Sequence, residues 1–396
     1  MATSCKWNPE HMHSVLTLLG DLVSIASVNP MGQPVDTEIH LEHRVTDYLE
    51  DRLRKLGVKY RRIEISPGRD NLLAWYDAPN SKVRVLLDAH QDTVPVETMI
   101  IPPFKANTEA GKMYGRGSCD VKSGVASMLT AFERLVHERP ANSCNVLIAF
   151  TVDEEYTHTG SSALSEMEHG CDLGIIAEPT QMQLVVSHKG AVRWKIKASG
   201  RACHSSTPHL GDNAIYRMGR VLALLGEHAC QLAGSTPDPL LGPPSLSVGR
   251  ITGGQSVNIV PDACSIEIDR RLIPGETVEG AMGMVHEFLK TKLSPNDFEK
   301  IAFGEPWVKM PALRNDTATA FLDKLQSGLV GPDGKKPGIG GVPYGTDAGP
   351  LAQMGLPCVV FGPGNIAQAH TEDEWIEMDQ VVDASERYFH LLANWH

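Results

Sequence analysis

Val83-Arg84-Val85-Leu86-Leu87-Asp88-Ala89-His90-Gln91-Asp92 reads as an apolar strand that runs straight into an imidazole and a carboxylate. Two later segments repeat the plan. Asn145-Val-Leu-Ile-Ala-Phe-Thr-Val152 leads into Asp153-Glu154-Glu155, and Asp172-Leu-Gly-Ile-Ile-Ala177 leads into Glu178-Pro179. A helical pattern over 121–137 separates the first two. Continuous apolar strands alternating with helices predict a mostly parallel sheet covered by helices on both faces, an α/β domain. Upstream, apolar residues fall at helical spacing over 11–27 and 37–56.

The middle of the chain changes style. Alternation over 183–198 predicts a strand, 212–233 a helix, 245–252 and 262–272 two strands, 276–290 a helix and 298–303 a last strand. This β-α-β-β-α-β order fits a split-βαβ, ferredoxin-like module. The closing part returns to the first style, with a helix near 314–327, a Gly/Pro-rich loop over 328–341, a strand at 357–361 and a helix over 378–394. The expected division is one α/β domain from 1–186 and 306–396, with 187–305 inserted as a smaller domain.

Composition narrows the function classes. A formal net charge of −12 argues against a general nucleic-acid binder, which needs a basic surface. Eighteen consecutive apolar residues occur nowhere, so no membrane-spanning helix is expected. Met1-Ala-Thr-Ser-Cys-Lys-Trp7 lacks a basic segment followed by an apolar run, so no secretory leader is expected. The eight cysteines are scattered without a C-x-x-C pair and read as reduced, cytoplasmic thiols.

The polar residues sit where the chemistry of such folds gathers. His90, Asp92, Glu154, Glu155 and Glu178 follow strand ends, Asp120 opens a helix, and His370 follows the strand at 357–361 and its Gly-Pro-Gly turn. Ligands of open α/β sheets bind beyond the carboxyl ends of the strands, so these groups can converge. Converging carboxylates repel one another unless a cation lies among them. Carboxylates mixed with imidazoles, without cysteine pairs, suit catalytic zinc. Asp120, Glu155 and Glu178 balance two divalent ions once a bound hydroxide is added, which favours a two-metal site. Asp92 is placed to accept a hydrogen bond from the His90 ring. Glu154 and Glu155 must point apart on extended chain, so one can hold metal while the other serves as general base. Taken singly, each has a plainer explanation: Asp120 a helix cap, Asp92 a turn, Asp153-Glu154-Glu155 a solvated acidic turn.

Ala89-His90-Gln91-Asp92-Thr93-Val94-Pro95, Gly115-Arg116-Gly117-Ser118-Cys119-Asp120, Asp153-Glu154-Glu155, Ala177-Glu178-Pro179-Thr180 and Gly362-Pro363-Gly364 with His370 resemble the M20 metallopeptidase family. The motifs occur in family order across nearly the whole chain. The resemblance implies a homodimeric hydrolase of linear amides with two zinc ions per subunit, cobalt being a possible substitute. His90 and Glu178 would hold one ion, Glu155 and His370 the other, and Asp120 would bridge them. Glu154 would be the general base, and Asp92 would orient His90. The inserted domain would serve as lid and dimerisation domain. His204, in Cys203-His204-Ser205-Ser206, would reach the partner's site and stabilise the oxyanion. Asn258, Arg271, Gly345 and Thr346 match positions that contact substrate. The residues around Tyr344-Gly345-Thr346-Asp347 are most similar to the acetylornithine deacetylase branch. That branch implies a small N-acetyl amino acid as substrate and a place in arginine biosynthesis. Succinyl-diaminopimelate desuccinylase, aminoacylase and dipeptidase activities are its neighbours, and a non-catalytic regulator is a remote alternative. Gln91 and Cys119 depart from residues common in the family. A cysteine hydrolase built on Cys203 and His204 fails because neighbours on extended chain point apart.

Overall fold

A computed structural model describes residues 9–315 and 319–395. The segment 1–7 read for a secretory leader lies outside these residues, as does 316–318 of the helix expected near 314–327. The chain forms two compact units: 1–186 with 314–341 and 346–396, and 187–313 with 342–345.

The first unit is built on a nine-stranded sheet. Across it run Lys59–Ser66, Arg69–Tyr76, Asn145–Thr151, Arg84–His90, Leu173–Ile176, Cys358–Val360, Leu184–His188 and Leu313–Arg314, and Ile339–Val342 also pairs with Leu184–His188. The middle four strands are parallel, with Leu87 opposite both Ile148 and Ile175, and Val359 opposite Ile175. The strands flanking them are antiparallel, so the expected mostly parallel sheet is mixed. The hairpin Lys59–Tyr76 was not foreseen: its outer strand carries Lys59, Arg61, Arg62 and Glu64 at an exposed edge, where no apolar run develops.

Strand parity decides what faces where. Val85, Leu87 and Ala89 join Val146, Ile148 and Phe150 in the main core, under the helices Pro9–Val23, Lys122–Glu138 and Met378–Ala393. The opposite face is covered by two short helices, Thr159–Ser165 and Ala348–Gln353. Helical spacing over 37–56 becomes a helix only from His43, ending at Leu56 where Gly57 takes φ +74°. Among the described residues no helix is long and apolar enough to cross a membrane.

The second unit is the β-α-β-β-α-β module. Ser245–Gly253, Ala263–Leu272, Gly190–Ser199 and Ile301–Phe303 lie in that order, all antiparallel. Trp194, Ile196, Ile266 and Ile268 on one face pack against Met218, Val221 and Leu225 of helix Ala214–Ala233 and Val285 and Leu289 of helix Val278–Lys292. Asn213 and Thr277 cap those helices, accepting from the amides of Tyr216 and Gly280. The single strand expected over 183–198 is two, Leu184–His188 and Gly190–Ser199, one in each sheet. The chain returns to the first unit at Arg314 rather than 306, because Val308–Met310 adds a further strand beside Gly190–Ser199.

Candidate metal centre

Three strand ends, one loop and one turn of the first unit bring the acidic residues and imidazoles together. His90 ends strand Arg84–His90, Glu154 and Glu155 follow Asn145–Thr151, and Glu178 follows Leu173–Ile176. Asp120 closes the loop before helix Lys122–Glu138, and His370 lies beyond Cys358–Val360 at φ +61°.

Asp120 is central. Its Oδ1 lies 3.2 Å from His90 Nε2 and its Oδ2 3.3 Å from His370 Nε2. On the His90 side, Glu178 Oε1 and Glu154 Oε2 each lie 3.9 Å from the same Nε2. On the other side, Glu155 Oε2 lies 3.2 Å from His370 Nε2. The neighbours Glu154 and Glu155 thus face different imidazoles, although they lie in a turn rather than on extended chain. Ligand-capable atoms of His90, Glu154 and Glu178 lie within 4.8 Å of one another, and so do those of His90, Asp120 and Glu155. Every side chain of this group is nearly buried except that of His370, which is half exposed.

Burial pushes the carboxyl groups of Glu154, Glu155 and Glu178 up. Glu178 and Asp347 add to the effect on Glu154, and Asp120 adds to it on Glu155 and Glu178. Asp120 behaves oppositely. Burial would raise it, but hydrogen bonds from His370 and His90 hold it below the usual carboxylate range. Burial disfavours a charged His370, yet hydrogen bonds to Asp120 and Glu155 push it up to about 11. This pocket has more buried negative charge than its own cations balance. Glu155 Oε1 is buried without a hydrogen-bond partner. An oxygen- and imidazole-lined site of this kind fits divalent cations of the zinc type.

A layer of partners holds the group. The His90 ring is fixed from behind, but not by the expected carboxylate: Nδ1 lies 3.0 Å from the Asp92 carbonyl and 3.6 Å from Asp92 Oδ1. Donation to that carbonyl leaves Nε2 as the lone-pair nitrogen. The Asp92 carboxylate instead accepts the amides of Glu154 and Glu155 at 3.1 and 3.2 Å and the Asn29 side chain at 2.8 Å. It shapes the loop that carries both glutamates. Glu374 does the same for Asp120: its carboxylate accepts the amides of Gly117, Cys119 and Asp120 at 2.8–3.0 Å and pairs with Arg116. Sequence reasoning missed Asn29 and Glu374. Their only signal is a polar residue predicted to lie beside buried chain. Cys119 is buried, and burial pushes its thiol well up, as suits an inert side chain.

Of the remaining sequence candidates, Thr346 belongs to the first unit, and His204, Asn258, Arg271 and Gly345 to the second. Thr346 is buried, and its hydroxyl accepts the Ala348 amide at the start of a helix; neighbouring Asp347 is buried against Thr151, His158 and Ser161. In the second unit Gly345 packs closely on Met310, leaving no room for a side chain. His204 and Asn258 lie side by side, since Cys203–His204 pairs with Ile259–Val260 and the Ser205 amide donates to the Asn258 carbonyl. Both are exposed. Arg271 is partly buried and donates to Asp269 Oδ1 at 2.7 Å. Cys203 Sγ meets the carbonyls of His204 and Thr207, not an imidazole.

Relatives cover almost the entire chain. It is 30% identical over 375 residues to an acetylornithine deacetylase of Vibrio vulnificus (strain CMCP6), spanning 93% of this chain and 95% of that protein. It is 27% identical over 399 residues to a probable succinyl-diaminopimelate desuccinylase of Staphylococcus aureus (strain MSSA476), with 93% and 94% covered. Among solved structures, the YXEP protein of Bacillus subtilis, a dinuclear metal binding peptidase from the M20 family, superposes with a TM-score of 0.70 at 16% identity over 98% of this chain and 99% of that one. The sequence signature of peptidase family M20/M25/M40 matches residues 86–394, and the chain belongs to that family.

Proposed function

We propose that this M20-family amide hydrolase uses two zinc ions to remove the acyl group from an N-acyl amino acid, with N-acetylornithine the first substrate to test. One observation carries the reading: the two oxygens of Asp120 face two different imidazoles at 3.2 and 3.3 Å. His90 with Glu178 and His370 with Glu155 flank it, as two ions joined by one carboxylate require. Bound there, the ions would act as Lewis acids toward the amide carbonyl and make water acidic enough to attack at neutral pH. The N-acetyl class is supported by the 30% identity to the Vibrio deacetylase. Desuccinylation is the second reading, supported by the Staphylococcus relative.

The chain's own groups supply the proton chemistry. Glu154 stands beside the cluster without contributing to the Asp120 contacts, so it is free to take a proton from the attacking water. Burial and the charges of Glu178 and Asp347 raise its affinity for that proton, which it then gives to the departing amine. We assign oxyanion stabilisation to His204. The Ser206 amide lies 3.2 Å from His204 Nδ1 and donates to it, so the ring carries its proton on Nε2 as an outward donor. Asn258, Arg271, Gly345 and Thr346 are assigned to the substrate's carboxylate end, where the guanidinium fork of Arg271 would serve best. We further propose that the second unit is a lid that pairs two copies of the chain, and that His204 acts on the partner's substrate. The seven described cysteines are all unpaired, which supports a reducing, cytoplasmic setting.

The test is a panel of N-acetyl, N-succinyl and dipeptide substrates, compared by kcat/KM with zinc or cobalt added. Preference for N-acetylornithine supports the first reading, and preference for succinylated diamino acids replaces it with the second. Full activity in a chelator removes both.

A further inference from the structure

Strand pairing stops before the chain reaches Glu154. His90 lies opposite Thr151, and the Gln91 amide donates to the Thr151 carbonyl at 2.9 Å. Beyond that point Asp153 takes φ +65° and turns its segment out of the ladder. Asn29, in the loop that follows helix Pro9–Val23, bridges the two segments where the ladder has ended.

Its side-chain nitrogen Nδ2 lies 2.8 Å from Asp92 Oδ2 and 3.0 Å from Asp153 Oδ1. Its Oδ1 accepts the Met31 amide at 3.0 Å, which turns the nitrogen toward the two carboxylates. A side-chain amide carries two hydrogens, and here one goes to each acid. The backbone of Asn29 belongs to the His90 side: its amide donates to the Thr93 carbonyl at 2.8 Å, and the Thr93 amide to the Ser27 carbonyl at 3.0 Å. The side chain therefore rides on one segment and grips the other.

Both acids carry the cluster. The Asp92 carbonyl lies 3.0 Å from His90 Nδ1, and the Asp92 carboxylate takes the amides of Glu154 and Glu155. Asp153 precedes Glu154 and shapes the turn that bears it. Its carbonyl accepts the His158 amide at 2.7 Å, and its Oδ2 accepts Thr159 Oγ1 at 2.8 Å. Asn29 is fully buried, where an amide is kept only if its hydrogen bonds are made. Capping its own loop would occupy Oδ1 alone. The two N–H groups serve only the link between the acids.

We propose that Asn29 is a positioning residue: its side-chain amide straps Asp92 to Asp153 and so fixes the separation of His90 from Glu154 and Glu155. The inference rests on the hydrolase reading above, in which those three residues are ligands and base.

The experiment compares Asn29→Asp, which keeps the shape and the acceptor for Met31 but loses both donors, with Asn29→Leu, which removes every polar atom. In the zinc-loaded enzyme each is expected to lower kcat by ~10–100-fold, the usual cost of losing a supporting partner, with KM unchanged. In the cobalt-loaded enzyme each is expected to shift the visible absorption spectrum, which reports the geometry around the metal. Wild-type kcat in Asn29→Asp overturns the proposal. So does a lowered melting temperature with wild-type kcat and spectrum, which makes Asn29 a residue of the fold alone. A further measurement uses the wild type: both side-chain amide hydrogens of Asn29 are expected to exchange with deuterium far more slowly than those of the exposed Asn296. Fast exchange of either hydrogen overturns the proposal even if neither variant folds. If the wild type cleaves no substrate of the panel, the hydrolase reading fails, while the spectrum and the exchange still decide the strap.

Discussion

The cluster around Asp120 and the strand pair around His204 are built on opposite plans. In the first, side chains are buried and a second layer backs them: Asp92 takes two amides and Asn29, and Glu374 takes three amides and Arg116. In the second, His204 and Asn258 are exposed, Val257 beside them is fully exposed, and the imidazole has only Ser206 for support. Gathering buried carboxylates is costly, and a folded chain offsets the cost with cations, protonation or hydrogen-bond donors. An exposed imidazole carries no such cost. The first region is held from behind by buried partners, and the second is open to solvent.

The largest effect comes from removing the centre of the buried region. Asp120→Ala is expected to drop bound zinc below one ion per chain and to abolish turnover, measured by metal analysis and N-acetylornithine hydrolysis. Two tightly bound ions in that variant would mean the carboxylate does not join them. Glu154→Gln should retain both ions yet lose ~10³-fold in kcat, within the range for a general base. Turnover near wild type would remove Glu154 from the chemistry.

The exposed region is tested by separating function from stability. His204→Ala should lower kcat by ~10²-fold, comparable to loss of an oxyanion donor, with an unchanged melting temperature. Mixing the weakened His204→Ala with the weakened Glu154→Gln should raise activity above either alone, because a mixed pair would hold one intact site. If the mixture shows no such gain while mixed pairs form, His204 does not act across two copies.

The last effect is on stability rather than turnover and concerns the layer beneath the cluster. Burial, followed by the charge of Asp92, pushes the Glu42 carboxyl from its ordinary 4.5 up to about 8. The folded chain keeps this proton across that window while the unfolded chain has lost it, so the group's contribution to stability falls as pH rises from 4.5 to 8. Glu42→Gln removes the dependence. Measured by denaturant unfolding of the metal-free protein, it should gain on the wild type between pH 5 and pH 8 by up to about 4 kcal/mol. Parallel stability curves for the two proteins would show that Glu42 does not titrate in this range.

Much of the centre was legible because strands announce their ends. Val85-Leu86-Leu87 and Leu147-Ile148-Ala149 are continuous apolar runs, and the residues that follow them had to converge. The supporting layer was not. Glu374 serves Asp120 from 254 residues away, and no local pattern marks such a pairing. Asn29 looks like any polar residue in a loop. The switch between sheets at Lys189 was hidden as well: Leu184–His188 is buried throughout, Gly190–Ser199 alternates only from Val192, and no proline or loop separates the two. The mixed sheet was misread for a related reason: apolar runs report burial, not direction.

Glu374 also sets an order of events. A chain emerging from the ribosome completes residues 187–313, most of the smaller unit with three described α-helices, before it reaches Cys358–Val360 or Glu374. Domains tend to fold as units as they emerge. The smaller unit can therefore close while the larger sheet still lacks the strand between Leu173–Ile176 and Leu184–His188. The loop bearing Asp120 waits longer still, for the carboxylate that gathers its amides. Metal capture that depends on this loop would then have to wait until Glu374 has been made.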